Sequence, residues 1–207
     1  MSHMSNIKKY YEDNYKEGYP DYYIQGWENK TAQEMRFKEL VGHINLSNKR
    51  ILDVGCGTGN LLEYINQRYT GFDYTGVDIL PHMINIAKCK KLNGKFICMD
   101  LFKNNPFRSN SFDAIFSSGI FNLNLGNNKE FLLDALEVFQ ELSSEVISFN
   151  LLWDKSPDRE EKYFYFDPYK VEELLTEKYG MNWTVAVVKG YLNNDFTVLL
   201  KKKQFSW

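Results

Sequence analysis

The chain has 207 residues, 43% of them hydrophobic, and 25 Lys plus Arg against 27 Asp plus Glu give a formal net charge of −2. That length suits one α/β domain and leaves little room for a second. The lack of a basic excess removes nucleic acid as the default partner. No apolar run has the length of a membrane helix and no charged and apolar leader opens the chain, so a cytoplasmic protein with no membrane partner is expected. Cys56, Cys89 and Cys98 show neither a disulfide framework nor metal-ligand spacing, so reduced thiols and no metal are expected. The opening Met1-Ser2-His3-Met4 reads as a cloning remnant, and His3 is left out of functional reasoning. The oligomeric state stays open.

Aromatic residues reach 16%, and six tyrosines fall within YYEDNYKEGYPDYY, with Trp27 close behind. Residues 1–29 read as an N-terminal aromatic arm, either a loose cover for the domain or a lid over a ligand, ahead of a domain at 30–207. A helix over TAQEMRFKELVGHI turns Met35, Leu40, Val41 and Ile44 inward. Strands follow at Ile51–Val54, at FDYTGVD ending on Asp78, at KFICMD ending on Asp100, at Phe112–Ser118 and at SEVISFN ending near Asn150. Helical patterns separate most of them: Asn60 to Tyr69, PHMINIAKCKKL with Pro81 in its first turn, and the amphipathic KEFLLDALEVFQEL. Such alternation implies a mostly parallel sheet covered on both faces, a three-layer α/β/α sandwich. After a helix at Pro168–Tyr179, MNWTVAVVK and DFTVLLKKK flank GYLNND and read as an antiparallel hairpin that completes seven strands.

Ligands of such sheets sit beyond the carboxyl ends of the strands. Asp53 and the loop after it, Asp78, Asp100, Ser117 to Asn122 and Asn150 all fall there. In ILDVGCGTGN, three alternate glycines between a buried strand and a helix are the local recipe for a nucleotide-like ligand at a helix N-terminus. A dinucleotide fingerprint needs its third glycine where this chain has Asn60; the glycine comes one residue early, at Gly59. That displacement and the closing hairpin count against a nicotinamide cofactor.

The chain resembles the class I S-adenosylmethionine-dependent methyltransferases, over roughly Met35 to Lys203. ILDVGCGTGN is similar to the family's first motif, GVDILPHMINIAK to its second, FICMDLF to its third and SFDAIFSSGIFN to its fourth. The resemblance implies S-adenosylmethionine as cofactor and assigns roles by position. Asp78 would accept from both ribose hydroxyls, with a helix N-cap as its alternative duty. Ile79 and Met83, with Leu80, would wall the adenine. Asp100 would accept from the adenine amino group unless it is only a turn residue, and the Leu101 N–H would serve a ring nitrogen. Gly55, Cys56 and Gly57 would lie along the amino-acid tail. Asp53 would hold its amino end, Ser117 would offer a carbonyl, and Arg36 would take its carboxylate, if it is not a salt-bridged surface arginine.

The acceptor pocket is expected from Phe121, Asn122 and Asn150, with Tyr11, Tyr23 and Trp27 as the lid. No general base stands out. His43 and His82 suit surface or capping duties, and Asp154, Glu160 and Asp167 lie in a charged connection that could supply one. The run Ser118-Gly119-Ile120-Phe121 lacks the Pro-Pro-aromatic signature of amino-methylating DNA enzymes, and no cysteine follows a proline. Methyl transfer to oxygen or nitrogen of a small polar acceptor, sugar-like or another metabolite, is therefore expected. The alternatives are an RNA or protein methyltransferase and a noncatalytic cofactor-binding subunit.

Overall fold

The computed structural model describes residues 3–14 and 18–204. Seven strands, β1 (Arg50–Val54), β2 (Asp73–Asp78), β3 (Lys95–Cys98), β4 (Phe112–Ser117), β5 (Ser143–Leu152), β6 (Trp183–Val188) and β7 (Asp195–Lys202), form one sheet in the order β3-β2-β1-β4-β5-β7-β6. Strands β1 to β5 pair in parallel, and β7 runs antiparallel to both β5 and β6. Helices α3 (Lys30–Val41), α4 (Asn60–Asn66) and α5 (Pro81–Cys89) accompany the first strands, and α6 (Asn128–Leu142) and α7 (Pro168–Tyr179) the later ones. The expected three-layer sheet and its closing hairpin are present.

Side-chain alternation along the central strands divides the core. Ile51, Ala114 and Phe116 face the side holding Leu40, Val41, Leu62, Ile65 and Ile84. Leu52, Val54, Ile115 and Ile147 face the opposite side with Leu136, Phe139 and Leu175. Strands this apolar on both faces belong in the middle of a parallel sheet.

Two expectations need correction. The arm is not loose: it carries α1 (His3–Asn14) and α2 (Asp21–Ile24), with Ile24 and Trp27 buried. Tyr15, counted in the aromatic cluster, lies outside the described residues. Helix α3 buries Gln33, Arg36, Phe37, Leu40 and Val41, while Met35 is exposed. The spacing i, i+3, i+4, i+7, i+8 is that of one helix face, but two of its members are polar, so hydrophobicity alone finds Leu40 and Val41 and misplaces Met35.

The crossing between β2 and the glycine loop is tight. A Cβ at Gly76 would stand 2.8 Å from Cys56 Sγ and 3.1 Å from a Phe96 ring carbon. Gly76→Ala should therefore cost about 1–3 kcal/mol by overpacking; a urea-unfolding midpoint equal to wild type would show that the crossing has slack.

Candidate functional site

The carboxyl ends of β1, β2, β4 and β5 open on a cavity of about 720 Å³. Gly55, Gly57 and Gly59 all have left-handed backbone, with φ of 76°, 52° and 82°, which glycine alone adopts without penalty. Gly59 is the N-cap of α4, and a Cβ there would press on Phe96. The displaced third glycine thus has a turn of its own to make. Gly55 and Gly57 border the cavity, and Ile120 and Gln25 approach them so closely that a Cβ at either would collide.

Asp78 closes β2 with its carboxylate on the cavity. Oδ2 accepts from the Gly57 N–H at 2.9 Å and Oδ1 from the Leu80 N–H at 2.9 Å. Burial raises its carboxyl above the usual range, against the opposing pull of those N–H donors. Ile79, Leu80, Met83 and Leu101 line the wall beside it. Asp100 does not. Its Oδ1 accepts from the Phe102 and Lys103 N–H groups, the contacts of a turn residue. Cys56 packs into the core against Gly76, and Ser117 is buried with its hydroxyl donated to the Val54 carbonyl at 2.9 Å.

Asp53 lies beneath the loop, away from the cavity, accepting from the Tyr74 hydroxyl at 2.5 Å. Burial pushes its carboxyl up to about 7. A folded-state value raised above the ordinary 3.8 means the native chain keeps a proton that the unfolded chain loses. Stability from this group is full below that ordinary value and declines as pH rises towards about 7.

Arg36 is buried, borders the cavity, is ion-paired with Asp195, and has its Cζ 4.4 Å from the Trp27 ring centroid. It is not the surface arginine of its alternative reading. Around it the arm is fastened by a polar chain invisible in the sequence. Gln25 donates to Thr58 Oγ1 at 2.5 Å and Gln33 to Gln25 Oε1 at 3.2 Å, while Asn60 donates to Gln33 Oε1 at 3.0 Å. Lys90 then joins Asn60, at 2.7 Å, to Asp21 of α2, at 2.5 Å.

Tyr11, Tyr23, Trp27 and Asn122 line the cavity as expected. Phe121 and Asn150 stand behind the wall. Phe121 packs on Phe131 and Phe149, and Asn150 donates to Thr197 at 2.8 Å and accepts from Ser118 at 3.0 Å. The wall instead includes Ser118, Phe131, Tyr10, Tyr163 and Tyr165. Hydroxyls of Tyr10 and Tyr163 meet at 3.4 Å, joining arm to connection. Burial raises the Tyr11 and Tyr163 phenols well above their ordinary value, so neither is a ready base.

Of the other base candidates, Asp167 caps α7 by accepting from Tyr169, and Asp154, His43 and His82 do not line the cavity. Glu160 does, ion-paired with Lys162 at 2.8 Å. Among the described residues there is no cluster of metal-ligating side chains and no helix long and apolar enough to cross a membrane.

Comparison with known proteins agrees with this geometry. The methyltransferase-domain family matches residues 51–141. A chain named as a methyltransferase in Mycobacterium tuberculosis is 32% identical over 73% of this chain and 92% of its own length. The trans-aconitate 2-methyltransferase of Escherichia coli is 30% identical over 58% of this chain and 44% of its own. Among solved structures, the magnesium protoporphyrin IX methyltransferase of Synechocystis PCC 6803 with bound S-adenosylhomocysteine superposes with a TM-score of 0.68 at 13% identity, covering 98% of this chain and 100% of that one. The fold is thus the Rossmann-like one of class I. The chain belongs to the S-adenosylmethionine-dependent methyltransferases, an enzyme whose methyl donor is S-adenosylmethionine.

The Asp53 environment gives a direct expectation. The stability difference between wild type and Asp53→Asn should fall as pH rises from 3.8 to about 7, because over that range the unfolded wild type loses a proton that its native state keeps. Urea unfolding at several pH values reads it; parallel curves would mean that Asp53 is ionised in the native protein throughout.

Proposed function

We propose that this methyltransferase acts on oxygen or nitrogen of a small polar acceptor held between the aromatic arm and the β5–α7 connection. The observation that carries the acceptor class is the charge of the cavity wall. Its two cationic lining residues, Arg36 and Lys162, are each ion-paired, with Asp195 and Glu160. Against the acids Glu28, Asp78, Asp158 and Glu160 of the same wall, these two cations form no cationic stripe among the described residues of the kind a phosphate backbone needs. Tyrosine rings and hydroxyls make up much of the remaining wall, a surface suited to a neutral polar molecule.

The donor's sulfonium supplies an activated methyl group. For the cofactor, Asp78 is the acceptor for the ribose hydroxyls, pre-oriented by the Gly57 and Leu80 N–H groups. Ile79, Met83 and Leu101 sandwich the base. The backbone of Gly55 and Gly57 borders the amino-acid tail, and Arg36 anchors its carboxylate. Asp53 lies under that end of the loop and acts on the tail only through intervening groups. Asp100 holds its own turn through Oδ1, does not border the cavity and is not assigned to the adenine.

The chemistry assigned to the protein is positioning and water exclusion. With the Tyr11 and Tyr163 phenols held protonated by burial and Glu160 tied to Lys162, an acceptor hydroxyl would release its proton to solvent, and a nitrogen acceptor would attack through its own lone pair. The residues for this are the arm's Tyr11, Tyr23 and Trp27 closing over Ser118 and Asn122. Phe121 and Asn150 support that wall from behind.

Transfer of isotope-labelled methyl from S-adenosylmethionine to panels of sugars and small amines, against bulk RNA and protein, tests the acceptor class. Label in the small-molecule panel is expected; label in RNA or protein alone would sink it. Separately, Asp78→Ala should weaken S-adenosylhomocysteine binding by about 1–3 kcal/mol, the worth of charge-assisted hydrogen bonds. A calorimetric affinity equal to wild type would remove Asp78 from the ribose.

A further inference from the structure

Arg36 carries a full charge at 4% exposure, and Asp195 opposite it is completely buried at the start of β7. Burying such a pair gains little stability over an apolar replacement of the same shape. This pair is also incompletely satisfied: Arg36 Nε and Asp195 Oδ1 are buried without hydrogen-bond partners. An arrangement so costly for stability alone makes sense if the orientation of the guanidinium is what it supplies.

Three elements fix that orientation. Asp195 takes Nη2 from behind and does not itself reach the cavity that Arg36 borders. Trp27, from the arm, lies over the guanidinium at 4.4 Å. Gly119, just after β4 with φ of 98°, makes room for the indole; a Cβ there would come within 3.1 Å of Trp27 Cζ2. Only Nη2 is used by Asp195, so donors of the planar fork remain for a second carboxylate. A guanidinium immobilised in advance loses little further rotamer freedom when that carboxylate arrives.

We infer that Asp195 and Trp27 are positioning residues that aim Arg36 at the carboxylate of the cofactor's amino-acid tail, with Trp27 making the arm part of that contact. The inference rests on the reading of Arg36 as the tail's anchor. It goes beyond that reading in assigning work to the closing hairpin and to the arm.

Calorimetric titration with S-adenosylhomocysteine and with 5′-methylthioadenosine, which has the same nucleoside and thioether but no amino-acid tail, separates positioning from mere structure. Asp195→Ala should lose about tenfold in affinity for the first compound, roughly 1.4 kcal/mol, and bind the second as wild type does. Asp195→Asn, which keeps an acceptor for Nη2, should restore most of the loss. Trp27→Leu should lower the ratio of the two affinities in the same direction, and carries the test if Asp195→Ala does not fold. Equal losses for both compounds would make the pair structural and overturn the inference. So would an unchanged ratio in Asp195→Ala and Trp27→Leu. A wild type that binds both compounds equally would overturn Arg36 as anchor, and one that binds neither would overturn the cofactor site as a whole.

Discussion

The carboxylate of Asp78 ties β2 to the glycine loop, and the shape of the site depends on that tie. One oxygen holds the Gly57 N–H and the other the Leu80 N–H. A single side chain therefore sets both the loop after β1 and the entry to α5. The loop can be held this way only because Gly57 is left-handed and its N–H turns towards β2. With backbone donors on one side and the cavity on the other, the carboxylate is oriented before any ligand arrives. Preorganisation of this kind spares reorganisation on binding.

The same edge of the sheet concentrates buried ionisable groups. Asp53, Asp78, Arg36 and Asp195 are all buried, and burial is the first cause raising all three carboxyls. Each lies at the carboxyl edge of β1 or β2, on α3 or at the start of β7, and together they surround the glycine loop and the arm. Elsewhere the sheet's two faces are filled by aliphatic and phenylalanine side chains. Desolvated charge gathered in one region of an otherwise apolar core marks a functional site better than a stabilising one.

The sheet was legible because each central strand is apolar on both faces and is followed by a turn residue and a helical pattern. The glycine loop was legible because three alternate glycines have few other uses. Where the sequence misled, a polar residue had two equivalent readings. Gln33 and Arg36 sit on the buried face of α3, so the hydrophobic pattern favoured exposed Met35 instead. Asp100 after a strand fits a ligand or a turn, and nothing in the sequence announces that its Oδ1 accepts from the Phe102 and Lys103 N–H groups. Phe121 and Asn150 turned on side-chain direction: Asn150 pairs with Thr197 across β5 and β7, and no periodicity in the Ser118–Asn122 turn says which residue faces the cavity. Asp195 had no signal at all, being one acid at the head of an ordinary strand whose partner lies 159 residues away.

The arm is joined to the cofactor side and to the acceptor side of the cavity by different residues. Gln25 and Trp27 reach the glycine loop and Arg36, and Asp21 reaches Lys90 on the helix after β2. Tyr10 reaches Tyr163 on the β5–α7 connection. One ordered arm therefore bounds both halves of the cavity. On the proposed assignment the Gln25 and Trp27 contacts, near the loop and Arg36, lie on the cofactor side. The acceptor would meet a wall of tyrosines already fixed in position, which is the condition under which positioning alone can accelerate transfer from an activated donor.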